Sequence, residues 1–375
     1  MTPSPSTQAL ADQLAQQTLE LCRIPSVTGD EAAIADALQA RCLQLGATTS
    51  RIGHTVIAQG PLRPGLPVVV LLGHSDTVRP APVEQQPLEI RAQEGRVYGC
   101  GASDMKGGLA VMLQLLASAA QLPAANLLCI FYDQEEGPAA QSGILPLCAP
   151  GGLLRQGLPG LAPPSQWLAF CLEPTDNQIH AGCVGSLQAL VTAVGKRAHS
   201  ARPWHGHNAI YAALPLLTKL RDTARHEVSI DTPVGPLRFY EVVSATQART
   251  ENSRNVVPDR LVLNINARFA PGKSVAEAKA QLLALIGPDY EVDVVDEAPS
   301  GAVSLAHPLL QPWLQSAGLV VEAKQAWTDV ARLTDLGLQA VNFGPGDTAQ
   351  AHQAGESCSI LALLSNYAAF CKLLT

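Results

Sequence analysis

Continuous apolar runs of strand length recur through the first half of the chain. Val68–Leu72, Leu127–Tyr132 and Trp167–Leu172 are three such runs. Runs of this kind are typical of strands that are buried on both faces of a sheet. A helical pattern, Gly107–Ala120, lies between the first two runs. Strands that alternate with helices predict an α/β sheet.

Two helices are predicted before this sheet. Leu10, Leu14 and Leu21 lie on one face of a helix that would end near Cys22. The segment Asp30–Leu45 has the same helical period, and Gly46 after it is a plausible stop signal.

The pattern changes near Gly182 and alternates between strand-like and helix-like segments. In chain order these segments are Ser186–Val194, Asn208–Thr223, Arg260–Phe269 and Ser274–Leu285. Such an order predicts a small α+β domain of its own. After about Ser300 the pattern returns to helix and buried strand. We therefore expect a discontinuous main domain, residues 1–181 and 295–375, with a second domain, residues 182–294, inserted into it.

Composition supports a folded protein of two domains. The chain has 375 residues, which is longer than a single core usually requires. Its hydrophobic fraction is 47% and its charged fraction only 15%, so disorder is not expected. The net charge is -7 and basic residues do not cluster, which argues against a nucleic-acid partner.

The nine cysteines are scattered through apolar stretches and form no C-x-x-C pair. We interpret them as reduced core residues and expect a cytoplasmic protein. Met1–Thr7 lacks the charged start and apolar core of a signal peptide, and no apolar run is long enough to span a bilayer, so neither feature is expected.

Histidine and acidic residues follow the predicted strands directly. His74 comes after the first run, Glu135 and Glu136 after the second, and Glu173 after the third. The carboxyl ends of parallel strands meet at one edge of a sheet, so these side chains are expected to converge. Zinc prefers imidazole and carboxylate ligands. A metal site is therefore predicted at this edge.

Two further acidic residues fit this site. Asp104 lies in a Gly-flanked turn before a helix, where the backbone can approach a metal closely. Asp76 follows His74 by two residues and can accept the second ring N–H of that histidine. The adjacent Glu135 and Glu136 can divide two roles, because a general base cannot also be a full metal ligand.

Five segments together resemble the M20 metallopeptidases, a family of dinuclear zinc aminoacylases and carboxypeptidases. They are Gly73-His74-Ser75-Asp76-Thr77-Val78, Gly101-Ala102-Ser103-Asp104-Met105-Lys106-Gly107-Gly108, Asp133-Gln134-Glu135-Glu136-Gly137, Glu173-Pro174-Thr175 and Ala351-His352. The resemblance spans nearly the whole chain. It implies a zinc-peptidase-like catalytic domain and an inserted ferredoxin-like domain that forms a homodimer.

The resemblance also implies a role for each matching residue. Two zinc ions, which cobalt can replace, would be held by the bridging Asp104, by His74 and Glu173 at one ion, and by Glu136 and His352 at the other. Glu135 is implied as the general base and Asp76 as the residue that orients His74. The family often has a cis peptide bond after the bridging aspartate.

The resemblance implies one catalytic residue and three substrate contacts in the inserted domain. His199 matches a histidine that reaches the active site of the partner subunit and stabilises the tetrahedral intermediate. Asn255 and Ser186 match substrate-binding positions, and Arg268 matches an arginine that can clamp a carboxylate.

Three segments look similar to one branch of the family: Glu173-Pro174-Thr175-Asp176-Asn177-Gln178, Ala181-Gly182-Cys183 and Asn342-Phe343-Gly344-Pro345-Gly346-Asp347. They resemble the enzymes that hydrolyse N-succinyl-LL-diaminopimelate to succinate and LL-diaminopimelate, a step of lysine synthesis. Many of them have an arginine where this chain has Cys183, so Arg197, Arg202 or Arg332 would have to replace it. Two segments, Gly344-Pro345-Gly346 and Ala351-His352-Gln353, also resemble acetylornithine deacetylases. An N-acetyl substrate is therefore the alternative. A binding protein without activity is disfavoured because every ligand position and the base are filled.

Overall fold

The computed structural model describes residues 5–80, 82 and 86–375. The chain divides into two units. Unit 1 runs to Gly182 and resumes over Val303–Glu322 and Thr328–Thr375, and unit 2 comprises Cys183–Ala302 and Ala323–Trp327.

Unit 1 contains an eight-stranded sheet, a three-stranded sheet and the longest helices of the described chain. In chain order its strands are β1 (Thr48–Ile52), β2 (Thr55–Gln59), β3 (Val68–His74), β4 (Glu89–Arg91), β5 (Arg96–Tyr98), β6 (Asn126–Tyr132), β7 (Leu168–Cys171), β8 (Ile179–Ala181), β16 (Val321–Ala323), β17 (Gln339–Asn342) and β18 (Ser357–Ser359). Its helices are α1 (Pro5–Cys22), α2 (Ala32–Gln44), α3 (Gly107–Ser118), α4 (Leu145–Cys148), α5 (Leu153–Gln156), α9 (Leu310–Ala317), α10 (Val330–Asp335) and α11 (Ile360–Leu374).

The large sheet has a parallel centre. Its strand order is β1-β2-β6-β3-β7-β17-β8-β16, and the four strands β6, β3, β7 and β17 run parallel to one another. Every residue of β3 and β6 is buried, as the continuous apolar runs predicted. The mixed α/β architecture expected for the main part of the chain is therefore confirmed.

Helices and aromatic side chains cover this sheet. Helices α1, α3 and α11 pack against one another. Phe170 of β7 lies edge-on to Trp313 of α9, with ring centroids 5.4 Å apart, and Phe370 of α11 lies 5.2 Å from Phe343. Edge-to-face pairs of this kind add to the free energy of burial. Among the helices of the described residues, none has the length and apolar character that crossing a membrane requires.

Unit 2 is an α+β structure with an antiparallel sheet. Its strands are β9 (Gly185–Val194), β10 (Ala198–His199), β11 (His226–Ile230), β12 (Leu237–Arg249), β13 (Val256–Val257), β14 (Arg260–Phe269) and β15 (Glu291–Ala298), and its helices are α6 (Ala209–Ala212), α7 (Leu214–Asp222) and α8 (Val275–Ile286). The five-stranded sheet has the order β11-β12-β14-β9-β15. Alternate residues of β9 and β14, such as Val191 and Leu263, are buried in one apolar core with α8 residues such as Leu282.

The structure differs from two expectations. Unit 2 does not end at residue 294 but continues to Ala302, because β15 pairs with β9 as far as Ala298 and Gly301 forms a bridge with Cys183. The helical segment Asn208–Thr223 is two helices, with Pro215 in the first turn of α7. Proline has no main-chain N–H, so it cannot continue the hydrogen bonds of a preceding helix.

Candidate metal centre

The parallel strands of unit 1 bring their carboxyl ends to one edge of the sheet. His74 is the last residue of β3, and Glu135 and Glu136 follow β6 after two intervening residues. Glu173 follows β7 after one intervening residue, Leu172. Open α/β sheets bind ligands at this edge, so the predicted convergence has a direct structural cause.

Six side chains of unit 1 form three overlapping groups whose possible ligand atoms lie within 4.8 Å of one another. The groups are His74, Asp104 and Glu173; Asp104, Glu136 and His352; and His74, Glu135 and Glu136. All five predicted metal ligands are therefore brought together. Distance alone also admits Glu135 as a ligand, so its role as the base remains a prediction.

Asp104 belongs to two of these groups. One carboxylate oxygen, Oδ1, lies 3.1 Å from Nε2 of His74, and the other, Oδ2, lies 3.5 Å from Nε2 of His352. Nε2 of His352 is also 2.8 Å from Oε1 of Glu136. The two oxygens of Asp104 thus face different histidines. The peptide bond that joins Asp104 to Met105 is cis, as the family resemblance implied.

Asp76 connects the two loops that carry the candidate ligands. Its carboxylate accepts the main-chain N–H groups of Glu135 and Glu136 at 3.0 and 3.1 Å and the Thr28 hydroxyl at 2.9 Å. Nδ1 of His74 is 3.0 Å from the main-chain oxygen of Asp76 and 3.5 Å from its carboxylate. Asp76 therefore contacts His74 as expected, but the nearer acceptor is the backbone carbonyl.

The cluster of carboxylates favours positive charge on both histidines. Burial lowers the pKa of His74, but hydrogen bonds to Asp104 and Asp76 outweigh it and hold that pKa well above its usual value. The hydrogen bonds of His352 to Asp104 and Glu136 raise the pKa of His352 to about 10. Burial raises the pKa of Asp104, yet the two histidines together lower it below its usual value.

The environment of Glu135 favours the protonated, neutral form of its carboxyl group. Burial and the nearby carboxylate of Glu173 raise the pKa of Glu135 well above its usual value, although His74 opposes this shift. A carboxyl group with a raised pKa is a better proton acceptor than an ordinary carboxylate. This is the property that a general base or acid near neutral pH requires.

These residues fit a pair of divalent cations. Two imidazoles and four carboxylates supply the nitrogen and oxygen donors that zinc and related ions prefer, and the Asp104 carboxylate belongs to two of the three groups. The histidines can bind as neutral ligands once a cation replaces their protons. The chemistry of the donor set therefore supports a two-metal centre in unit 1.

The substrate-contact candidates lie in unit 2, where they form two neighbouring pairs. Ser186 and Arg268 are direct partners across β9 and β14, and Nε of Arg268 donates to Asn266 at 3.0 Å. The strand residue His199 lies next to Asn255, whose main-chain oxygen accepts the N–H of Ser200 at 2.9 Å. All four of these residues were predicted only through the family resemblance, and their pairing was not predicted.

Three arginines are candidates to replace the arginine that is missing at Cys183. Arg332 of unit 1 is 12% exposed, forms a salt bridge with Asp329 and donates to the Ala139 carbonyl at 2.8 Å. Arg197 and Arg202 of unit 2 are exposed. Arg332 is therefore a poor substitute, because its guanidinium is already engaged by internal partners.

Sequence reasoning missed two residues that contact this centre. Thr28 donates to Asp76, and the buried Glu356 accepts three main-chain hydrogen bonds from the turn that carries Asp104. Neither residue lies in a segment with a recognised ligand. Only the tertiary structure brings them to the site.

An α/β unit with clustered imidazole and carboxylate groups at the carboxyl edge of its sheet is the architecture of a metal-dependent hydrolase. Residues 70–375 match the sequence profile of peptidase family M20/M25/M40. The chain belongs to this family. The family resemblance deduced from the five segments is thus confirmed.

Two relatives and one solved structure illustrate this similarity. The chain is 37% identical over 342 residues to a Mycobacterium tuberculosis protein named as a succinyl-diaminopimelate desuccinylase, covering 89% of this chain and 90% of the relative. It is 36% identical over 358 residues to the succinyl-diaminopimelate desuccinylase of Corynebacterium glutamicum, covering 92% and 91%. A tripeptidase structure from Staphylococcus aureus superposes with a TM-score of 0.72 at 19% identity, covering 97% of each chain, which shows the shared fold.

Proposed function

We propose that the protein is a two-zinc amidohydrolase that converts N-succinyl-LL-2,6-diaminopimelate and water to succinate and LL-2,6-diaminopimelate. The observation that carries the metal-dependent part is Asp104, whose two oxygens serve two different groups of possible ligands. The substrate rests on the two relatives named as desuccinylases, at 36 and 37% identity over about nine tenths of the chain.

The residues of unit 1 divide into ligands and a base. Asp104 would bridge the two ions, His74 and Glu173 would complete one site, and Glu136 and His352 would complete the other. When bound, the metal pair supplies Lewis-acid activation of water and of the scissile carbonyl. Cobalt can replace zinc in such a donor set, because both ions accept imidazole and carboxylate ligands.

Glu135 would move the proton that the reaction requires. Its carboxylate takes a proton from the attacking water and later delivers it to the nitrogen of the leaving amine. The raised pKa of Glu135, caused by burial and by Glu173, suits both steps. Asp76 supports this role indirectly because it holds the main-chain N–H of Glu135.

His199 would stabilise the carbonyl oxygen as negative charge develops on it. Nδ1 of His199 accepts the N–H of Ala201 at 3.0 Å, so a neutral ring carries its proton on Nε2 and can donate it outward. The family resemblance assigns this histidine to the partner subunit's active site, and a homodimer is therefore part of the proposal. Trp204 and Tyr211 of unit 2 are 72% and 67% exposed, and exposed aromatic side chains are enriched at protein interfaces.

Arg268 would bind a carboxylate of the substrate, with Asn255 and Ser186 as further contacts. Within the described part of the chain, the only hydrogen bond of the Arg268 guanidinium is the one from Nε to Asn266. Its terminal nitrogens can therefore form a bidentate pair with an anion. Because a distal carboxylate cannot be buried without a partner, a succinyl substrate requires such a cation.

One observation favours N-acetylornithine as an alternative substrate. Cys183 stands where many desuccinylases have an arginine, and its side chain is fully buried. The acetyl group has no distal carboxylate and so does not need that cation. The two-metal mechanism would be the same for both substrates.

The proposed compartment is the cytoplasm. All nine cysteines lie within the described residues, and none of them forms a disulfide bond there. Reduced cysteines in this number favour a reducing environment.

The substrate can be tested with purified protein loaded with zinc. Hydrolysis of N-succinyl-LL-diaminopimelate and N-acetylornithine would be measured in parallel as kcat/KM. We expect a preference for the succinyl substrate. A preference for the acetyl substrate would move the protein to the alternative and leave the metal chemistry intact.

A further inference from the structure

Glu356 is a buried carboxylate directly beside the candidate bridging ligand. Its side chain is only 3% exposed. Oε2 accepts the main-chain N–H of Gly101 at 2.8 Å, and Oε1 accepts those of Ser103 and Asp104, each at 2.9 Å. One carboxylate therefore accepts three main-chain N–H groups of the turn that ends at Asp104.

The position of Glu356 is itself fixed by the three-stranded sheet. Glu356 immediately precedes β18, which pairs with β5, and its main-chain oxygen accepts the N–H of Gly99 at 3.1 Å. Arg96 of β5 donates to both the hydroxyl and the main-chain oxygen of Ser357, at 2.8 and 3.0 Å. The backbone that carries this carboxylate is thus held by hydrogen bonds to β5 and to Gly99.

The same short segment also carries one of the candidate metal ligands. His352 lies four residues before Glu356, and its ring contacts Asp104 and Glu136. The segment therefore contacts the candidate bridging residue twice, through the ring of His352 and through the carboxylate of Glu356. A change at Glu356 would therefore disturb Asp104, which belongs to two ligand groups, and His352, which belongs to one of them.

A buried cation accompanies this carboxylate. Lys106 is 2% exposed, its Nζ donates to the main-chain oxygen of Ile24 at 3.0 Å, and Glu356 interacts with it electrostatically. Buried charges are retained when they are paired or hydrogen-bonded. Lys106 therefore adds positive charge to the surroundings of Glu356.

We propose that Glu356 is a positioning residue that holds the Asp104 turn so that the two oxygens of Asp104 face the two groups of ligands. This inference rests on the two-metal centre proposed above. Glu356 does not itself belong to any of the three ligand groups of the described residues. It acts on the metals only through the backbone of Gly101, Ser103 and Asp104.

Replacement of Glu356 by glutamine distinguishes hydrogen bonding from volume. A glutamine has nearly the same shape, but one of its terminal atoms is an NH2 group that can only donate. Whichever way the amide is turned, that NH2 group faces a main-chain N–H of Gly101, or those of Ser103 and Asp104. At least one of the three hydrogen bonds is therefore replaced by a contact between two donors.

The test compares the wild-type protein with Glu356→Gln, and Glu356→Asp serves as a second variant if the glutamine variant does not fold. Glu31→Gln is the matched control, because Glu31 is also fully buried and accepts a main-chain N–H, that of Gly29, outside the Asp104 turn. Zn2+ affinity would be measured by competition with a chelator. The visible absorption spectrum of the Co2+-substituted protein would report on ligand geometry, and the melting temperature of the metal-free protein on stability.

We expect Glu356→Gln to weaken Zn2+ binding by about 10- to 100-fold and to change the Co2+ spectrum, as is usual when a partner of a metal ligand is lost. The Glu31→Gln control should keep the wild-type affinity and spectrum even if its melting temperature falls. Wild-type affinity and an unchanged spectrum in Glu356→Gln, or in Glu356→Asp where that variant is needed, would overturn the inference. If the wild-type protein itself binds no Zn2+, the two-metal proposal fails first, and the two failures are therefore distinguishable.

Discussion

The carboxylate of Asp76 accepts the main-chain N–H of Glu135 at 3.0 Å. It thereby joins the end of β3, which carries His74, to the loop after β6, which carries the candidate base Glu135 and the candidate ligand Glu136. One short side chain thus sets the relative position of two parts of the site that are about 60 residues apart in sequence.

We predict that Asp76→Asn weakens metal binding and lowers kcat by about 10- to 100-fold, the usual effect of removing a partner of a metal ligand. The amide NH2 of asparagine would face the N–H groups of Glu135 or Glu136, or the Thr28 hydroxyl. Zinc content after dialysis and kcat would be measured together. Asp133→Asn is the control, because Asp133 is buried in the same loop but bonds to Thr55. Equal effects of the two variants would contradict a specific role for Asp76.

Glu135→Gln should retain both metals and lose nearly all turnover. Glutamine cannot accept and return a proton, and general acid–base catalysis is worth about 100- to 10,000-fold in rate. Metal analysis and kcat would be measured on the same sample. A variant with full metal content and more than a tenth of the wild-type rate would exclude Glu135 as the base. A variant that loses metal would instead identify Glu135 as a ligand.

His199→Ala should lower kcat by about 100- to 1,000-fold, which is the usual cost of one donor to a developing oxyanion, and should spare metal content. The control is His205→Ala, because His205 is another exposed histidine of the same segment with no proposed role. Equal rates for the two variants would remove the role assigned to His199.

The cross-subunit arrangement can be tested by mixing His199→Ala with Glu135→Gln after dissociation and reassociation. Each variant alone should be nearly inactive. If His199 serves the partner's site, a mixed dimer has one intact site, which combines Glu135 of one subunit with His199 of the other. Recovery of activity on mixing is therefore expected. No recovery, with mixed dimers shown to form, would contradict action across the interface.

Arg268→Ala should raise KM by about tenfold or more, because a charge-assisted hydrogen bond to a carboxylate is lost, and should change kcat less. Arg268→Lys should restore binding only in part, since lysine cannot form a bidentate pair. Arg260→Ala on the same strand is the control, because the Arg260 guanidinium is exposed and lies beside Glu291 and Thr192. An unchanged KM in Arg268→Ala would show that Arg268 does not bind the substrate.

The buried parallel strands could be predicted from sequence because their environment imposes a simple pattern. Val68–Leu72 and Leu127–Tyr132 are apolar at every position since both faces of the sheet are covered. His74, Glu135 and Glu173 could be placed at one edge for the same reason, as each follows such a strand. The grouping of the candidate metal ligands could therefore be predicted from strand ends together with the family resemblance.

Other features have no comparable signal. The hairpin of β1 and β2 was not predicted, because β1 is short and alternates between exposed and half-buried residues such as Thr48 and Thr49. The boundary of unit 2 depends on strand pairing by β15, which lies at the edge of its sheet. Glu356 could not be identified because its three hydrogen bonds join segments about 250 residues apart.

Two bound zinc ions are proposed to allow this protein to hydrolyse N-succinyl-LL-diaminopimelate. The most direct test is to remove all metal with a chelator and then to titrate Zn2+ while measuring hydrolysis of this substrate and the amount of zinc bound. We expect no activity without metal and a rise to full activity as two zinc ions bind to each chain. Hydrolysis that does not depend on zinc would contradict the proposed function. So would a protein that binds two zinc ions and does not hydrolyse this substrate.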